Sequence, residues 1–170
     1  MADAIRMLLI GFGNPGRGDD GLGPALAEAV EKLKIPGLTV DADYQLTVED
    51  AAAVAECDVV LFADADAQGP EPFSFQVLEP KREESFSSHS IRPDAVLALA
   101  EDLFNAHSSG YLLGIRGYEF DEFRETLSAK AADNLAAALR FAESLLRRRN
   151  FSEMAAHYKA SGLNPVRTGM

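Results

Sequence analysis

The segment that decides the fold is the glycine-rich stretch Ile10-Gly11-Phe12-Gly13-Asn14-Pro15-Gly16-Arg17-Gly18-Asp19-Asp20-Gly21-Leu22-Gly23-Pro24. The apolar run that precedes it, residues 5–10, predicts a buried strand, and residues 25–33 have the composition and spacing of a helix. A glycine-rich turn between a strand and a helix is a place where α/β folds build binding sites. Two adjacent carboxylates are unfavourable there unless they cap the helix, hold a metal or take part in acid–base chemistry. The segment therefore predicts an α/β fold whose site includes this turn.

The composition predicts one soluble globular domain. The chain has 170 residues, of which 47% are hydrophobic and 25% are charged, and this length is enough for one core. No apolar run is long enough to span a membrane, and residues 1–6 lack a signal-peptide pattern. The single cysteine, Cys57, excludes an internal disulfide framework and a cysteine-based zinc site. We therefore expect a cytoplasmic protein with no membrane partner.

The charge is acidic overall and unevenly distributed. A net charge of −11 argues against a nucleic-acid partner, because phosphate backbones are bound by basic surfaces. Residues 147–170 nevertheless hold five basic side chains against one acid, Glu153. We therefore expect one α/β domain over residues 1–147, followed by a basic, loosely ordered tail over residues 148–170. A solvated terminus is the favoured interpretation of this tail; folding back on the acidic body and contacting a partner are the alternatives.

Strand-like and helix-like segments alternate along the whole chain. The strand candidates are residues 5–11, 38–42, 58–65, 73–78 and 111–118, and the helix candidates are residues 23–33, 48–56, 93–105 and 128–148. This alternation predicts a single-domain, three-layer α/β/α fold with about five strands in a mainly parallel, twisted sheet. The strand at 73–78 is expected near a sheet edge, and the polar residues after it are expected to form a long loop. Ser128 is a candidate N-cap for the last helix.

The spacing Gly11-x-Gly13-x-x-Gly16 matches the dinucleotide-binding fingerprint, with Asp41 or Asp43 in the place of the ribose-binding acid. Two arguments count against this interpretation. Glycines in the opening turns of the helix would each cost about 1 kcal/mol relative to alanine. The adjacent acids Asp19 and Asp20 would also face a pyrophosphate at the helix end, where free backbone N–H groups are needed.

Several other patterns carry weaker signals. Asp64 and Asp66 end an apolar run, as in aspartate-nucleophile phosphotransferases, but those enzymes carry the motif on the first strand. For one of these two carboxylates, solvating the turn is the favoured interpretation. The chain lacks both a G-x-S-x-G elbow and an H-E-x-x-H helix, which argues against a serine hydrolase and excludes a zincin-type protease. Of the histidines, His107 and His157 are interpreted as structural or exposed, whereas His89 lies in a serine-rich loop before a helix.

Three residues from separate segments remain: Asp20 at the first turn, Asp64 at a strand end and His89 before a helix. The loops that follow parallel strands converge on one edge of the sheet. Two carboxylates and an imidazole form a ligand set for a divalent ion such as zinc or nickel, with positions left open. The spacing is therefore compatible with a metal site.

Four motifs in order resemble one known family. They are the segment Gly11–Gly23, Asp64-Ala65 after an apolar strand, Ser88-His89-Ser90 before a helix, and Gly114-Ile115-Arg116-Gly117 followed by Leu127-Ser128. Together they resemble the nickel-iron hydrogenase maturation proteases, from about Arg6 to Leu146. The basic tail lies outside the resemblance.

The resemblance implies an endopeptidase, of the aspartyl type, that removes a C-terminal extension from the hydrogenase large-subunit precursor once nickel is inserted. It implies that Asp20, Asp64 and His89 bind the metal and that Asp20 and Asp64 are catalytic. Nickel is then expected to arrive with the precursor, and zinc or another divalent ion could substitute for it. Asp19 becomes a supporting or capping carboxylate and Asn14 a turn residue. We expect the protein to be a monomer.

The chain departs from the family pattern at two places. Some members carry glutamate where this chain has Asp20, so the shorter side chain must approach the metal more closely. Many members have an Asp-Gly-Gly-Thr-like turn after the second strand, linked to substrate choice, whereas residues 43–49 here are more similar to proteases of soluble, cofactor-coupled hydrogenases. The alternatives to a protease are a metal- or nucleotide-binding module without hydrolytic activity and an aspartate-dependent phosphotransferase.

Overall fold

The fold is built on one five-stranded sheet. The structure, a computed structural model, describes residues 4–83 and 91–161. The strands are β1 (Met7–Phe12), β2 (Leu38–Asp43), β3 (Val59–Asp66), β4 (Phe73–Leu78) and β5 (Ser109–Arg116), in the order β2-β1-β3-β5-β4. β4 is antiparallel to β5, and all other neighbours are parallel. The mainly parallel sheet and the edge position of residues 73–78 are confirmed.

Helices cover both faces of the sheet. They are α1 (Leu22–Glu31), α2 (Asp50–Ala55), α3 (Pro93–Phe104), α4 (Ala129–Arg148) and α5 (Phe151–Ala160), with a short 3-10 turn at Gly18–Gly21 before α1. One hydrophobic cluster joins the sheet to α1, α4 and α5, and the other joins it to α2 and α3. The predicted three-layer α/β/α architecture is therefore confirmed. None of the helices in the described part of the chain has the length and hydrophobicity needed to cross a bilayer.

The central strands are apolar throughout because both of their faces are buried. On β1, Met7 and Leu9 enter the cluster of α1, α4 and α5, whereas Leu8 and Ile10 enter the cluster of α2 and α3. Such strands read as continuous apolar runs instead of alternating ones, which is why the sequence predicted them well.

Local signals explain where α4 begins and ends. Ser128 Oγ accepts a hydrogen bond from the Ala131 backbone N–H at 3.3 Å, which confirms the predicted N-cap. At the other end, Arg149 adopts the left-handed conformation, with φ 58°, and stops the helix.

The expectation of a loosely ordered tail from residue 148 is wrong for residues 148–161. α4 continues to Arg148, and α5 follows at once and packs on the sheet. Phe151 is buried and stacks on Tyr111 with ring centroids 5.4 Å apart, while Tyr158 stacks on Phe141 at 5.2 Å. The apolar side chains of α5 recur at helical spacing, which its basic residues concealed. Residues 162–170 of the predicted tail lie outside the described residues.

Two glycines let α1 lie directly against the strands that carry the site. A Cβ on Gly11 would stand 2.1 Å from the Gly23 carbonyl oxygen. A Cβ on Gly23 would stand 2.4 Å from the Phe12 carbonyl oxygen and 2.5 Å from that of Ala63. The start of α1 therefore touches both β1 and β3, next to Asp64.

Replacing Gly23 with alanine is expected to destabilise the fold by roughly 3 kcal/mol, because the new methyl group meets backbone of two central strands. For a chain of this size that corresponds to a fall in melting temperature of about 6–12 °C. The matched control is Gly16→Ala, whose Cβ would first meet the flexible Asn14 side chain, at 3.2 Å. Thermal unfolding followed by circular dichroism measures both, and equal melting temperatures would contradict the close approach.

Candidate functional site

The candidate site lies at the carboxyl ends of β1 and β3, which are neighbours in the sheet. After β1 the chain passes through the glycine-rich turn and enters α1 at Leu22. Asp20 thus stands just before the N-terminus of α1, as the sequence predicted. Asp64 is the sixth residue of β3 and follows Phe62 by two positions, so it faces the α2–α3 side of the sheet.

The turn closes around Asp20. Its carboxylate accepts a hydrogen bond from the Asn14 backbone N–H at 2.8 Å, and the Asn14 side chain accepts one from the Gly16 N–H at 2.8 Å. Gly13 has φ +141°, and a Cβ there would stand 2.0 Å from the Asp20 carbonyl oxygen. Asn14 is therefore the turn residue that the resemblance implied, and the turn holds Asp20 partly exposed at the rim.

Asp19 points into the protein and has a different role. It is fully buried, and its carboxylate accepts four hydrogen bonds of 2.7–2.9 Å. The donors are the backbone N–H groups of Tyr118, Glu119 and Ser128 and the Ser128 hydroxyl. Burial acts to raise the pKa of Asp19, but the hydrogen bonds outweigh it and lower the pKa below the usual value for aspartate. Asp19 is thus a supporting carboxylate.

Backbone bonds complete the junction between the glycine turn and residues 117–128. Gly18 N–H donates to the Arg124 carbonyl at 2.7 Å, Arg124 N–H donates to the Gly16 carbonyl at 2.9 Å, and Asp19 N–H donates to the Glu119 carbonyl at 2.7 Å. The backbone that carries Asp20 is consequently held from a segment about 100 residues away. Sequence reasoning missed this junction, although the N-cap signal at Ser128 and the motif of Gly114–Gly117 followed by Leu127-Ser128 both pointed to that segment.

The two acids at the end of β3 also differ. Asp66 accepts hydrogen bonds from the N–H groups of Gln68 and Gly69, at 3.0 and 2.9 Å, and so closes the turn after the strand. Asp64 Oδ1 accepts one from the Ala65 N–H at 2.8 Å. The turn-stabilising role expected for one of the two therefore belongs to Asp66.

A second polar cluster, also missed at the sequence level, supports the end of β5. The Arg116 guanidinium donates to the Gly69 carbonyl at 2.6 Å and lies 5.0 Å from the centroid of the Tyr118 ring. The Tyr118 hydroxyl is hydrogen-bonded to Glu71 and accepts from the Asn134 amide at 2.9 Å. These contacts join the turn after β3 to α4 beside the candidate site.

Two of the three candidate ligands lie on segments that pack against each other, the 3-10 turn and β3. Asp20 lies one turn before Gly23, and Gly23 packs on the Ala63 carbonyl next to Asp64. The third candidate, His89, lies outside the described residues. Within residues 4–83 and 91–161 no three acidic, cysteine or histidine side chains form a group that could hold a metal. His107 and His157 are exposed, as predicted.

The chemistry of this pair fits a cation better than a phosphate. The N–H groups of Asn14 and Gly16, which a dinucleotide would need, are already occupied by carboxylate and amide oxygens. α1 begins beyond these glycines, and Asp41 and Asp43 lie on β2, at the edge of the sheet. Carboxylate oxygens from two adjacent strand ends can instead ligate a divalent ion.

Comparison with solved structures identifies the fold. No protein-family model and no curated protein sequence matches the chain. A [NiFe] hydrogenase maturation protease HycI from Thermococcus kodakarensis KOD1 is 26% identical, with a TM-score of 0.62 over 84% of this chain and 90% of that one. The hydrogenase maturating endopeptidase HybD from E. coli is 20% identical, with a TM-score of 0.63 over 85% and 94%. A hydrogenase 2 maturation peptidase from a Thaumarchaeota archaeon is 21% identical, with a TM-score of 0.61 over 84% and 99%.

The sheet order, the covering helices and the named structural neighbours point to a class of peptidases with a three-layer α/β/α fold. The two matches near 20% identity support the fold alone, and the match to HycI extends the likeness to sequence. The chain is similar in fold and, at 26% identity, in sequence to a [NiFe] hydrogenase maturation protease. The resemblance to these proteases and the peptidase class expected from the sequence motifs are thereby confirmed.

Proposed function

We propose that this protein is the endopeptidase that removes the C-terminal extension of a [NiFe]-hydrogenase large-subunit precursor after nickel insertion. The observation that carries the proposal is that the two adjacent acids of the glycine turn, Asp19 and Asp20, have different positions. Asp19 is buried and hydrogen-bonded within the protein, whereas Asp20 is partly exposed beside the end of β3 that carries Asp64. The likeness to structures named as hydrogenase maturation proteases supports the same reaction.

In this proposal nickel belongs to the substrate, and Asp20, Asp64 and His89 recognise it. Nickel in the precursor supplies a Lewis acid close to the scissile peptide. The chain supplies carboxylates that ligate the ion, and either of them can act as the general base that takes a proton from the attacking water. Zinc or another divalent ion could occupy the same carboxylates in place of nickel.

The setting of the reaction is also part of the proposal. The single cysteine, Cys57, favours a reducing compartment, and we place the enzyme in the cytoplasm. We further propose that it acts as a monomer on one precursor.

The deciding experiment is incubation with the large-subunit precursor of a [NiFe] hydrogenase from the same organism, prepared with and without nickel. Mass spectrometry is expected to show release of the C-terminal peptide from the nickel-loaded precursor only. Absence of cleavage together with tight nucleotide binding would favour the binding-module alternative. A phosphoryl adduct on Asp64 would favour the phosphotransferase.

A further inference from the structure

A groove of about 480 Å³ lies between α1 and β2 at the edge of the sheet, on the face that α1 covers. Its floor is apolar and comes from α1 and β2, including Ala27, Val40 and Ala42. Gly18 and Gly21, which belong to the turn that presents Asp20, also line it. A segment lying in this groove would therefore contact the turn that presents Asp20.

The groove has an acidic rim. Glu28, Glu31 and Glu125 are exposed and line it, and none of the residues that line it is basic. Carboxylates around an apolar floor favour a ligand with apolar and basic side chains. They disfavour a second copy of the chain, because two such rims would repel each other across an interface.

β2 offers an open edge beside the groove. It is the outermost strand, and among the described residues only β1 pairs with it. Met7 N–H donates to the Gly37 carbonyl at 2.9 Å, and Gly13 N–H donates to the Asp43 carbonyl at 3.0 Å. The backbone N–H and C=O groups of the odd-numbered residues of β2 therefore point towards β1. The backbone groups of Val40 and Ala42 consequently point outward. Such an edge can accept one further strand.

We propose that the C-terminal segment of the precursor binds as an extended, basic strand along β2 and in this groove, with its scissile bond near the turn that presents Asp20. The inference rests on the proposed function for the identity of the precursor. The outward groups of Val40 and Ala42 hydrogen-bond its backbone. Alternate side chains lie on the apolar floor, and basic ones reach Glu28 and Glu31.

The first test uses two fluorescein-labelled octapeptides, one alternating lysine and valine and the other alternating glutamate and valine. Fluorescence polarisation is expected to show binding of the lysine peptide, at least ten-fold tighter than the glutamate peptide. Amide hydrogen exchange at Val40 and Ala42 is expected to slow on binding. Equal affinity for the two peptides, or no protection of these amides, would overturn the proposal.

Two groove variants and one control variant test where the peptide binds. Glu28→Lys combined with Glu31→Lys reverses the rim, and Ala42→Pro removes one outward N–H, a change that an edge strand tolerates. Each of these two groove variants is expected to weaken binding of the lysine peptide at least ten-fold. The matched control is Glu56→Lys, an exposed acid at the opposite end of the strands, which should bind as the wild type does. Wild-type affinity in either groove variant, with melting temperatures retained, would refute the assignment.

Further measurements test two other occupants of the groove, a second copy of the chain and the chain's own tail. They also distinguish failure of the groove proposal from failure of the proposed function. A dimer in sedimentation that Ala42→Pro abolishes would assign the edge to a second copy, and tighter peptide binding by Arg167→Glu would assign the groove to the chain's own tail; both overturn the inference. With the nickel-loaded precursor, the groove variants should raise KM with kcat unchanged, because the groove binds ground state and transition state alike. If the wild type cleaves no precursor, the proposed function fails, whereas the peptide data still test whether the groove binds a basic strand.

Discussion

Asp64→Asn is expected to abolish processing of a nickel-loaded precursor while leaving the fold intact. The asparagine retains an oxygen that can accept the Ala65 N–H, so the local backbone keeps its hydrogen bond. What disappears is the negative charge that ligates a cation or takes a proton. Loss of one such group lowers the rate by about 10²–10⁴-fold. Single-turnover cleavage, with the melting temperature as a check on folding, measures the effect.

The matched control is the same substitution two residues further along the same strand. Asp66 closes the turn at Gln68 and Gly69, and asparagine can accept those two hydrogen bonds as aspartate does. Asp66→Asn should therefore retain most of the processing activity. If Asp64→Asn cleaves at the wild-type rate, or if Asp66→Asn is equally impaired, then Asp64 does not have the role proposed for it.

The second large effect is expected on stability, from Asp19→Asn. An asparagine offers one oxygen and one NH2 group where the buried carboxylate accepts four hydrogen bonds, so N–H donors are left facing another donor. Leaving such groups unsatisfied costs roughly 3 kcal/mol or more. Urea unfolding measures the loss. The neighbouring Asp20→Asn is the control, because its carboxylate has a single N–H donor among the described residues, Asn14, and its cost should stay below about 1 kcal/mol.

The same carboxylate predicts a pH dependence with a definite sign. The pKa of Asp19 is lowered in the folded protein from an unfolded value of 3.8, so the folded state favours the ionised form. Its contribution is fully present above pH 3.8 and is lost as the pH falls through the lower folded pKa. The difference in stability between wild type and Asp19→Asn should therefore be constant near neutral pH and should shrink below pH 3.8. A difference that grows on acidification would contradict the role of Asp19.

Much of the fold could be predicted because its signals are local. The buried central strands are continuous apolar runs. Ser128 marks the start of α4 because its hydroxyl accepts a hydrogen bond from the N–H of Ala131, three residues along the chain. The edge strand at 73–78 alternates in the way a half-buried strand does. The helix α5 was missed because the basic residues around it suggested solvent, although its aromatic residues pack on Tyr111 and Phe141.

The candidate site divides in the same way. The motifs placed Asp20 before a helix and Asp64 at a strand end, and both positions are confirmed. Which of two neighbouring acids has which role was not accessible from spacing. Asp19 and Asp20 are adjacent in the chain, and only the direction of each side chain separates a buried carboxylate with four donors from one at the rim. The role of His89 in metal binding stays a prediction.

The glycine turn at residues 10–24 by itself determined the strand–turn–helix unit, and with the three later motifs it carried the resemblance to the family, since both depend on residue types at short spacing. Only the tertiary structure decided that Asp19 joins this turn to residues 117–128 and that β2 leaves an open acidic groove. These features depend on contacts between distant segments, and the hydrogen bonds of Asp19 span 100 and 109 residues. No local pattern encodes such contacts, because they form only when the sheet and its helices have packed.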